Sequence, residues 1–108
     1  MNGSTGITGV AFTAASPVDR ASGLLGFAAF DVGPVRIDSV AVRRTRAGRL
    51  ELSYPVRARA NGGRYAIVRP LDTQARRAIE AQVLDALAPE LAALEREERA
   101  ARRAGGSR

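Results

Sequence analysis

Arginine is the residue type whose number and spacing point most directly to a function in this 108-residue sequence. Residues 43 to 69 contain eight arginines and one acid, Glu51, whereas residues 71 to 108 balance seven arginines with seven acids. A guanidinium can bind phosphate or guanine through two parallel hydrogen bonds, so a local excess of this kind is typical of a nucleic-acid-binding surface. The candidate nucleic-acid-binding residues are Arg43, Arg44, Arg46, Arg49, Arg57, Arg59, Arg64 and Arg69.

Two other causes would also produce many arginines. All 17 basic residues of the chain are arginine, as a GC-rich genome would produce. Charged side chains on exposed strands also prevent sheets from aggregating edge to edge. Within the arginine-rich region, only Tyr54 and Tyr65 are aromatic, too few for an extended platform that stacks single-stranded bases. Contact with phosphates, and with DNA rather than RNA, is therefore the favoured mode of nucleic-acid binding.

The composition argues against an enzyme. The sequence contains no histidine, cysteine or lysine, so the hydroxyl groups of serine and tyrosine have none of the usual bases to activate them. The common zinc ligands are missing for the same reason. We therefore expect no catalytic residues, no metal or other cofactor, and no small-molecule substrate.

Most of the chain before residue 70 has the pattern of β-strands. Residues 7–14 alternate apolar and small side chains, residues 24–32 form a nearly continuous apolar run, and residues 50–54 alternate again. The continuous run predicts the central strand. Residues 16–19, around Pro17, predict a turn, and the Asn61-Gly62 pair predicts a hairpin followed by a last short strand at Tyr65 and Ile67.

Residues 35–43 predict a strand with one irregularity. Val35 and Ile37 occupy odd-numbered positions, whereas Val40 and Val42 occupy even-numbered positions. Because one extra residue moves every later side chain to the opposite face of a sheet, this shift predicts a β-bulge near Asp38-Ser39.

After Pro70 the apolar period changes to that of a helix. Asp72 or Thr73 can cap the helix, and its apolar stripe is predicted to lie on the sheet; the stripe comprises Ala75, Ile79, Val83 and Leu87. Pro89 predicts the start of a second, highly charged helix, expected to be solvated and to fray toward Gly105-Gly106. The predicted fold is α+β: an antiparallel meander of about five strands, a helix packed on it, and a second charged helix.

The size of the chain predicts one domain and a small interior. Of 49 apolar residues, 21 are alanine, and a domain with so few large apolar side chains often completes its core by forming a homodimer. The sequence predicts a flexible arm at residues 1–6, a domain at residues 7–88 and a charged helix and tail at residues 89–108. No apolar run is long enough for a membrane span, and the lack of cysteine fits a cytoplasmic protein.

Short elements along the chain also occur in a characteristic order. They are Ile7-Thr8-x-Val10, LLGFAAFDVGPVRIDSVAV at residues 24–42, Tyr54-Pro55 followed by Arg57, Asn61-Gly62, Ile67, Pro70, and RRAIEAQVLDAL at residues 76–87. In order and spacing, these elements resemble the stage V sporulation protein G family, also called septation regulators. The similarity covers about residues 7 to 87.

The resemblance implies a small, non-enzymatic regulator of cell septation and sporulation that forms dimers through sheet edges and binds DNA or RNA. It implicates Arg57 in nucleic-acid binding. It also implicates Arg64, which lies beside a position that is basic in the family and is Tyr65 here. Ala58 replaces a second basic residue of the family. The alternative function is a protein-interaction adaptor in cell division, which would bind its partner through a sheet edge or the charged C-terminal helix.

Overall fold

The computed structural model describes residues 6–106, and these form an α+β fold. Strands β1 to β4 make a four-stranded antiparallel sheet in sequence order, and β5 and β6 make a separate two-stranded sheet. The predicted arm at residues 1–6 lies almost wholly outside the described residues. The elements are β1 (Ile7–Ala14), α1 (Pro17–Ala21), β2 (Leu24–Val32), β3 (Val35–Arg44), β4 (Leu50–Ser53), β5 (Val56–Ala58), β6 (Arg64–Ala66) and α2 (Thr73–Gly106).

The core lies between one face of the four-stranded sheet and helix α2. Strand β2 is flanked by β1 and β3, which confirms the prediction of a central strand at residues 24–32. The buried cluster of the sheet and helix comprises Leu25, Ala28, Phe30, Val40, Val42, Leu52, Val83 and Leu87. Each large apolar side chain buried in this way contributes about 1.5 to 3 kcal/mol, so the packing of α2 on the sheet is a main source of stability.

The predicted bulge is present in β3. Ala28 pairs with Val40 and Phe30 with Ile37, so Asp38 and Ser39 together lie opposite one residue of β2. Ser39 takes a φ of 63°, the one non-glycine residue with positive φ among residues 6–106. The extra residue keeps Ile37 and Val40 on the core side of the sheet despite their different parity.

Helix α2 begins as the sequence predicts. The backbone N–H of Ala75 donates to Oδ1 of Asp72 at 2.8 Å, so Asp72 caps the helix. Val83 and Leu87 are fully buried, and Ile79 packs against the core cluster. The apolar stripe therefore lies on the sheet, as expected from its spacing.

The structure differs from the sequence prediction at Pro89, which lies inside α2 instead of starting a second helix. Proline in a helix interior removes one backbone hydrogen bond and costs about 3 kcal/mol. Leu87 before it is fully buried, Leu94 after it is 8% exposed, and Leu91 packs against the core cluster. Because the apolar stripe continues past the proline, burial of these leucines offsets the lost hydrogen bond and one helix results.

Residues 17–21 form the short helix α1, where the sequence predicted a turn. The Ser16 side chain accepts a hydrogen bond from the backbone N–H of Asp19. Pro17 occupies the first turn, where a backbone N–H would have no intrahelical acceptor, so proline costs no hydrogen bond there. The helix places the side chain of Arg20 against α2. Neither α1 nor α2, as far as the structure describes them, has a stretch long and apolar enough to cross a membrane.

The second half of α2 is attached to the domain by charged contacts. Arg20 Nη2 lies 3.1 Å from Glu97 Oε1, and Glu98 lies 3.6 Å from Arg20 Nε and 3.4 Å from Arg44 Nη2. Glu98 thus contacts both α1 and β3. Glu95 pairs with Arg99 within the helix, at 4.0 Å. The helix beyond Pro89 is therefore anchored as far as Glu98, in contrast to the solvated helix that its charge predicted.

Candidate nucleic-acid interface

Strands β5 and β6 form the hairpin that Asn61-Gly62 predicts, and they pair with each other rather than with the main sheet. The chain reverses where the Gly62 N–H donates to the carbonyl of Arg59 at 3.0 Å. Gly62 has a φ of 88°, a conformation that suits glycine, and the Gly63 N–H donates to the Asn61 side chain at 3.0 Å. The turn chemistry of these residues therefore fixes the register of the hairpin.

The register divides the hairpin side chains between two faces. Arg57 pairs with Tyr65 and Ala58 pairs with Arg64. Directly opposite residues of an antiparallel pair point to the same side, and neighbours along a strand point to opposite sides. Arg57, Arg59 and Tyr65 therefore share one face, here called the tyrosine face. Arg64 lies on the other, here called the alanine face, whose remaining members are Val56, Ala58 and Ala66.

Arg64 does not share a face with Arg57 and Arg59. Because Arg64 pairs with Ala58, it lies on the same face as Ala58, and Arg57 lies on the opposite face. The three arginines are close together along the hairpin, but they present charge on both of its sides.

On the tyrosine face, one arginine is held by an aromatic ring. The guanidinium carbon of Arg59 lies 4.8 Å from the centroid of the Tyr65 ring. A cation–π contact at an exposed site contributes about 0.5 to 1 kcal/mol. The contact orients Arg59 before any ligand binds and leaves its outward N–H groups available. Tyr65 itself remains 40% exposed, so part of its ring is open to a ligand.

The positive charge of the hairpin is not balanced by neighbouring acids. All six strand residues of β5 and β6 are exposed. Residues 52–71 contain four arginines and no acid. In the part of the chain that the structure describes, none of Arg57, Arg59, Arg64 and Arg69 has a carboxylate within ion-pair distance. These guanidinium groups are therefore available to an external anion.

The other predicted arginines do not join the hairpin in a single surface. Arg46 and Arg49 lie at the β3–β4 turn, where the Thr45 N–H donates to the Arg49 carbonyl at 2.8 Å. That turn and the hairpin are at opposite ends of β4, whose four residues span about 10 Å. Arg69 follows β6 and lines a shallow groove with Tyr54 and Arg76.

Arg43 and Arg44 point to opposite sides of the sheet. Arg44 pairs with Leu50 and lies on the helix side, where it contacts Glu98. Arg43 pairs with Glu51 on the side that α2 does not cover. Of the eight predicted residues, Arg44 alone has an ion pair among residues 6–106, so its charge is already balanced.

Tyr54, between β4 and the hairpin, has a raised pKa. Burial raises the pKa of its phenol above the ordinary value of 10.0, and the negative charge of Glu80 raises it further, while Arg76 opposes the shift. The phenol oxygen is buried and has no hydrogen-bond partner in the described part of the chain. The Tyr54 side chain packs against the core cluster, so it connects the root of the hairpin to the domain.

One charged cluster was not predicted from the sequence. Arg20, Arg44, Glu97 and Glu98 line a groove of about 520 Å³ between α1 and α2. Arg20 also donates to the carbonyl of Ala15 at 2.7 Å. The sequence contains no spacing rule for the contacts of Arg20 and Arg44 with Glu97 and Glu98, since these residues are more than fifty positions apart. Within residues 6–106, no group of three or more acidic, histidine or cysteine side chains could hold a metal ion.

Comparison with known proteins found no relative of this chain. No family model, no curated protein and no solved structure matches the chain. Any function assigned to it must therefore be supported by its own residues, of which the exposed arginines of the β5–β6 hairpin are the strongest candidates.

Proposed function

We propose that this chain is a non-enzymatic nucleic-acid-binding protein whose main contact surface is the β5–β6 hairpin. One observation carries the proposal: Arg57, Arg59 and Arg64 are exposed, and within residues 6–106 none of them has a carboxylate within ion-pair distance. The ligand that such a surface selects is a polyanion, because each guanidinium can bind a phosphate and the binding releases condensed counterions.

The same charge is harder to explain as protection against aggregation. Charged side chains on an edge strand do discourage edge-to-edge pairing. Here, however, Arg57 and Arg64 lie in strands of only three residues each and Arg59 directly follows β5, so three charges of one sign repel one another over a short ribbon. Arg59 is in addition oriented by Tyr65. Repulsion of this kind is relieved when phosphates bind between the guanidinium groups.

The resemblance to septation regulators supplies the proposed biological setting. In that setting the chain acts in the cytoplasm as a regulator of cell septation or sporulation, and it forms a homodimer. The edge strands of the main sheet are β1 and β4, and a second copy would pair with one of them. A dimer would carry two hairpins and double the positive surface. Sedimentation at micromolar concentration tests this part, because a purely monomeric protein contradicts it.

A gel-shift titration at about 50 and 200 mM salt tests the binding itself. The variant R57A/R59A/R64A removes three charges from the hairpin. Its matched control, R77A/R96A/R103A, removes three charges from exposed positions of α2. We expect wild type and control to shift DNA at low salt and the hairpin variant to shift it only at much higher protein concentrations. If wild type shifts neither DNA nor RNA at low salt, or if the hairpin variant binds like the control, the proposal is wrong.

The alternative function, a protein-interaction adaptor, is favoured by one feature of α2. Residues 99–105 are all exposed and follow Glu98, whose carboxylate contacts Arg44 of β3. A pull-down of a cellular protein that depends on residues 99–105 and survives the R57A/R59A/R64A change would support the adaptor. Loss of capture on changing the hairpin would argue against it.

A further inference from the structure

We propose that the β5–β6 hairpin enters the major groove of duplex B-DNA with its two faces toward the two phosphate backbones. This inference rests on the proposed function and names the nucleic acid and the groove that the hairpin selects. The observation behind it is the division of arginines between the faces: Arg57 and Arg59 point to one side of the ribbon and Arg64 points to the other.

A one-sided phosphate surface would need its arginines on one face. Arg57 and Arg59 satisfy that pattern, but Arg64 points away from any surface that they contact. All three are bound at once only if anionic groups flank the ribbon on both sides. The two backbones that border a groove of double-stranded nucleic acid provide that arrangement, whereas one flexible strand does not provide it without wrapping around the hairpin.

The dimensions of the hairpin match the major groove. A strand layer with its side chains is about 10 Å thick, and the groove is about 12 Å wide and 8.5 Å deep. From Val56 to Arg59, where the turn begins, the ribbon rises by about 10 Å at 3.3 Å per residue, slightly more than the depth of the groove, so the tip can reach the groove floor while the main sheet stays outside. The minor groove, about 6 Å wide, is too narrow for the same ribbon.

The composition of the tip favours the same placement. The turn contains Ala60, Asn61, Gly62 and Gly63, so no bulky side chain blocks its approach to the base pairs. The hydrogen bond from the Gly63 N–H to Asn61 keeps the turn compact. Arg57 and Arg64 lie in the paired strands behind the tip and on opposite faces, so they face the two walls of the groove when the tip is at the floor.

The groove also discriminates between DNA and RNA. The major groove of an A-form RNA duplex is deep and narrow, and protein elements do not enter it readily. A hairpin that must present arginines to both walls of the groove therefore binds B-DNA and is excluded from double-stranded RNA. Single strands lack the second wall.

Fluorescence anisotropy with a DNA duplex, an RNA duplex of the same sequence and the single DNA strand tests the inference. We expect the DNA duplex to bind at least about tenfold more tightly than either alternative. Arg57→Ala and Arg64→Ala are each expected to weaken duplex binding by about three- to tenfold, and Arg77→Ala is the control that leaves it unchanged. Methylation protection is expected at guanine N7, which faces the major groove.

Three results would overturn the groove inference while leaving nucleic-acid binding intact. They are equal affinity for the RNA duplex or the single strand, loss of affinity in the Arg57 variant with none in the Arg64 variant, and protection confined to the minor groove. Absence of binding to all three nucleic acids at low salt would overturn both the inference and the proposed function. Circular dichroism of each variant shows whether the fold is retained.

Discussion

The contacts of Glu98 predict that a substitution far along the charged helix destabilises the whole domain. We expect Glu98→Ala to lower the free energy of unfolding by about 1.5 kcal/mol. The carboxylate of Glu98 is 19% exposed and lies near two guanidinium groups, those of Arg20 and Arg44. Without it, the side chain of Arg20, which is 9% exposed, loses one of its two acidic partners.

The magnitude follows from the distances and the remaining contacts. Removing one partner of a fully buried ion pair costs about 3 to 5 kcal/mol, and an exposed pair contributes about 0 to 1 kcal/mol. The distances from Glu98 to Arg20 Nε and Arg44 Nη2, 3.6 and 3.4 Å, are long, which places the contact below the buried limit. Arg20 also retains its hydrogen bonds to the carbonyl of Ala15, at 2.7 Å, and to Glu97, at 3.1 Å. The loss of stability is therefore a fraction of the cost for a fully buried pair.

Urea unfolding followed by circular dichroism measures this effect, and Glu95→Ala is the matched control. Both changes remove one negative charge and introduce the same helix-favouring residue on α2. Glu95 is 63% exposed and lies 4.0 Å from Arg99, so its loss is expected to cost less than about 0.5 kcal/mol. The melting temperature of Glu98→Ala should fall by about 6 to 10 °C. Equal stability of the two variants would show that the end of α2 is solvated and that the ion pairs contribute nothing.

Three further predictions concern the core, the bulge and the alkaline limit of stability. Val83→Ala is expected to cost about 2 kcal/mol in urea unfolding, whereas Leu71→Ala, at a side chain 97% exposed, should stay within about 0.5 kcal/mol. Ser39→Gly is expected to raise the free energy of unfolding by about 0.5 kcal/mol, because glycine tolerates the positive φ; a loss of stability would contradict the bulge geometry. Burial and the charge of Glu80 raise the pKa of Tyr54, so the folded state holds the phenol proton more tightly than the unfolded chain does. This stabilisation is complete below about pH 10 and is lost as pH rises above it, and Tyr54→Phe should remove that part of the pH dependence.

Local patterns were sufficient to predict much of the fold. The parity shift in residues 35–42 locates the bulge at Asp38-Ser39, and the change of period after Pro70 locates α2 and its buried stripe. Both predictions rest on side-chain periodicity, which a sequence displays directly. The Asn61-Gly62 hairpin follows from turn chemistry in the same way.

Features that depend on tertiary contacts were not predictable. Pro89 is a helix-start signal in isolation, and the helix continues through it because Leu91 and Leu94 find a place on the domain. Nothing in the sequence around Arg20 indicates that it contacts Glu97 and Glu98, which follow more than seventy residues later. Long-range charge pairing of this kind has no spacing rule.

The candidate site was predictable as a region but not as a geometry. The excess of arginine over residues 43–69 points to the hairpin, yet composition alone treats all eight arginines alike. The fold separates them: Arg44 is paired with Glu98, Arg46 lies at the far end of β4, and Arg64 occupies the opposite face from Arg57. Strand register, which assigns each arginine to a face, was the missing information.

The salt dependence of DNA binding tests the role of the hairpin most directly. Each arginine that neutralises a phosphate contributes about 0.9 to the slope of log K against log salt concentration. If Arg57, Arg59 and Arg64 each bind a phosphate, the slope of R57A/R59A/R64A should be smaller than that of wild type by about 2.7. The R77A/R96A/R103A control should keep the wild-type slope. Equal slopes for wild type and the hairpin variant would contradict the assignment of the hairpin as the nucleic-acid-binding surface.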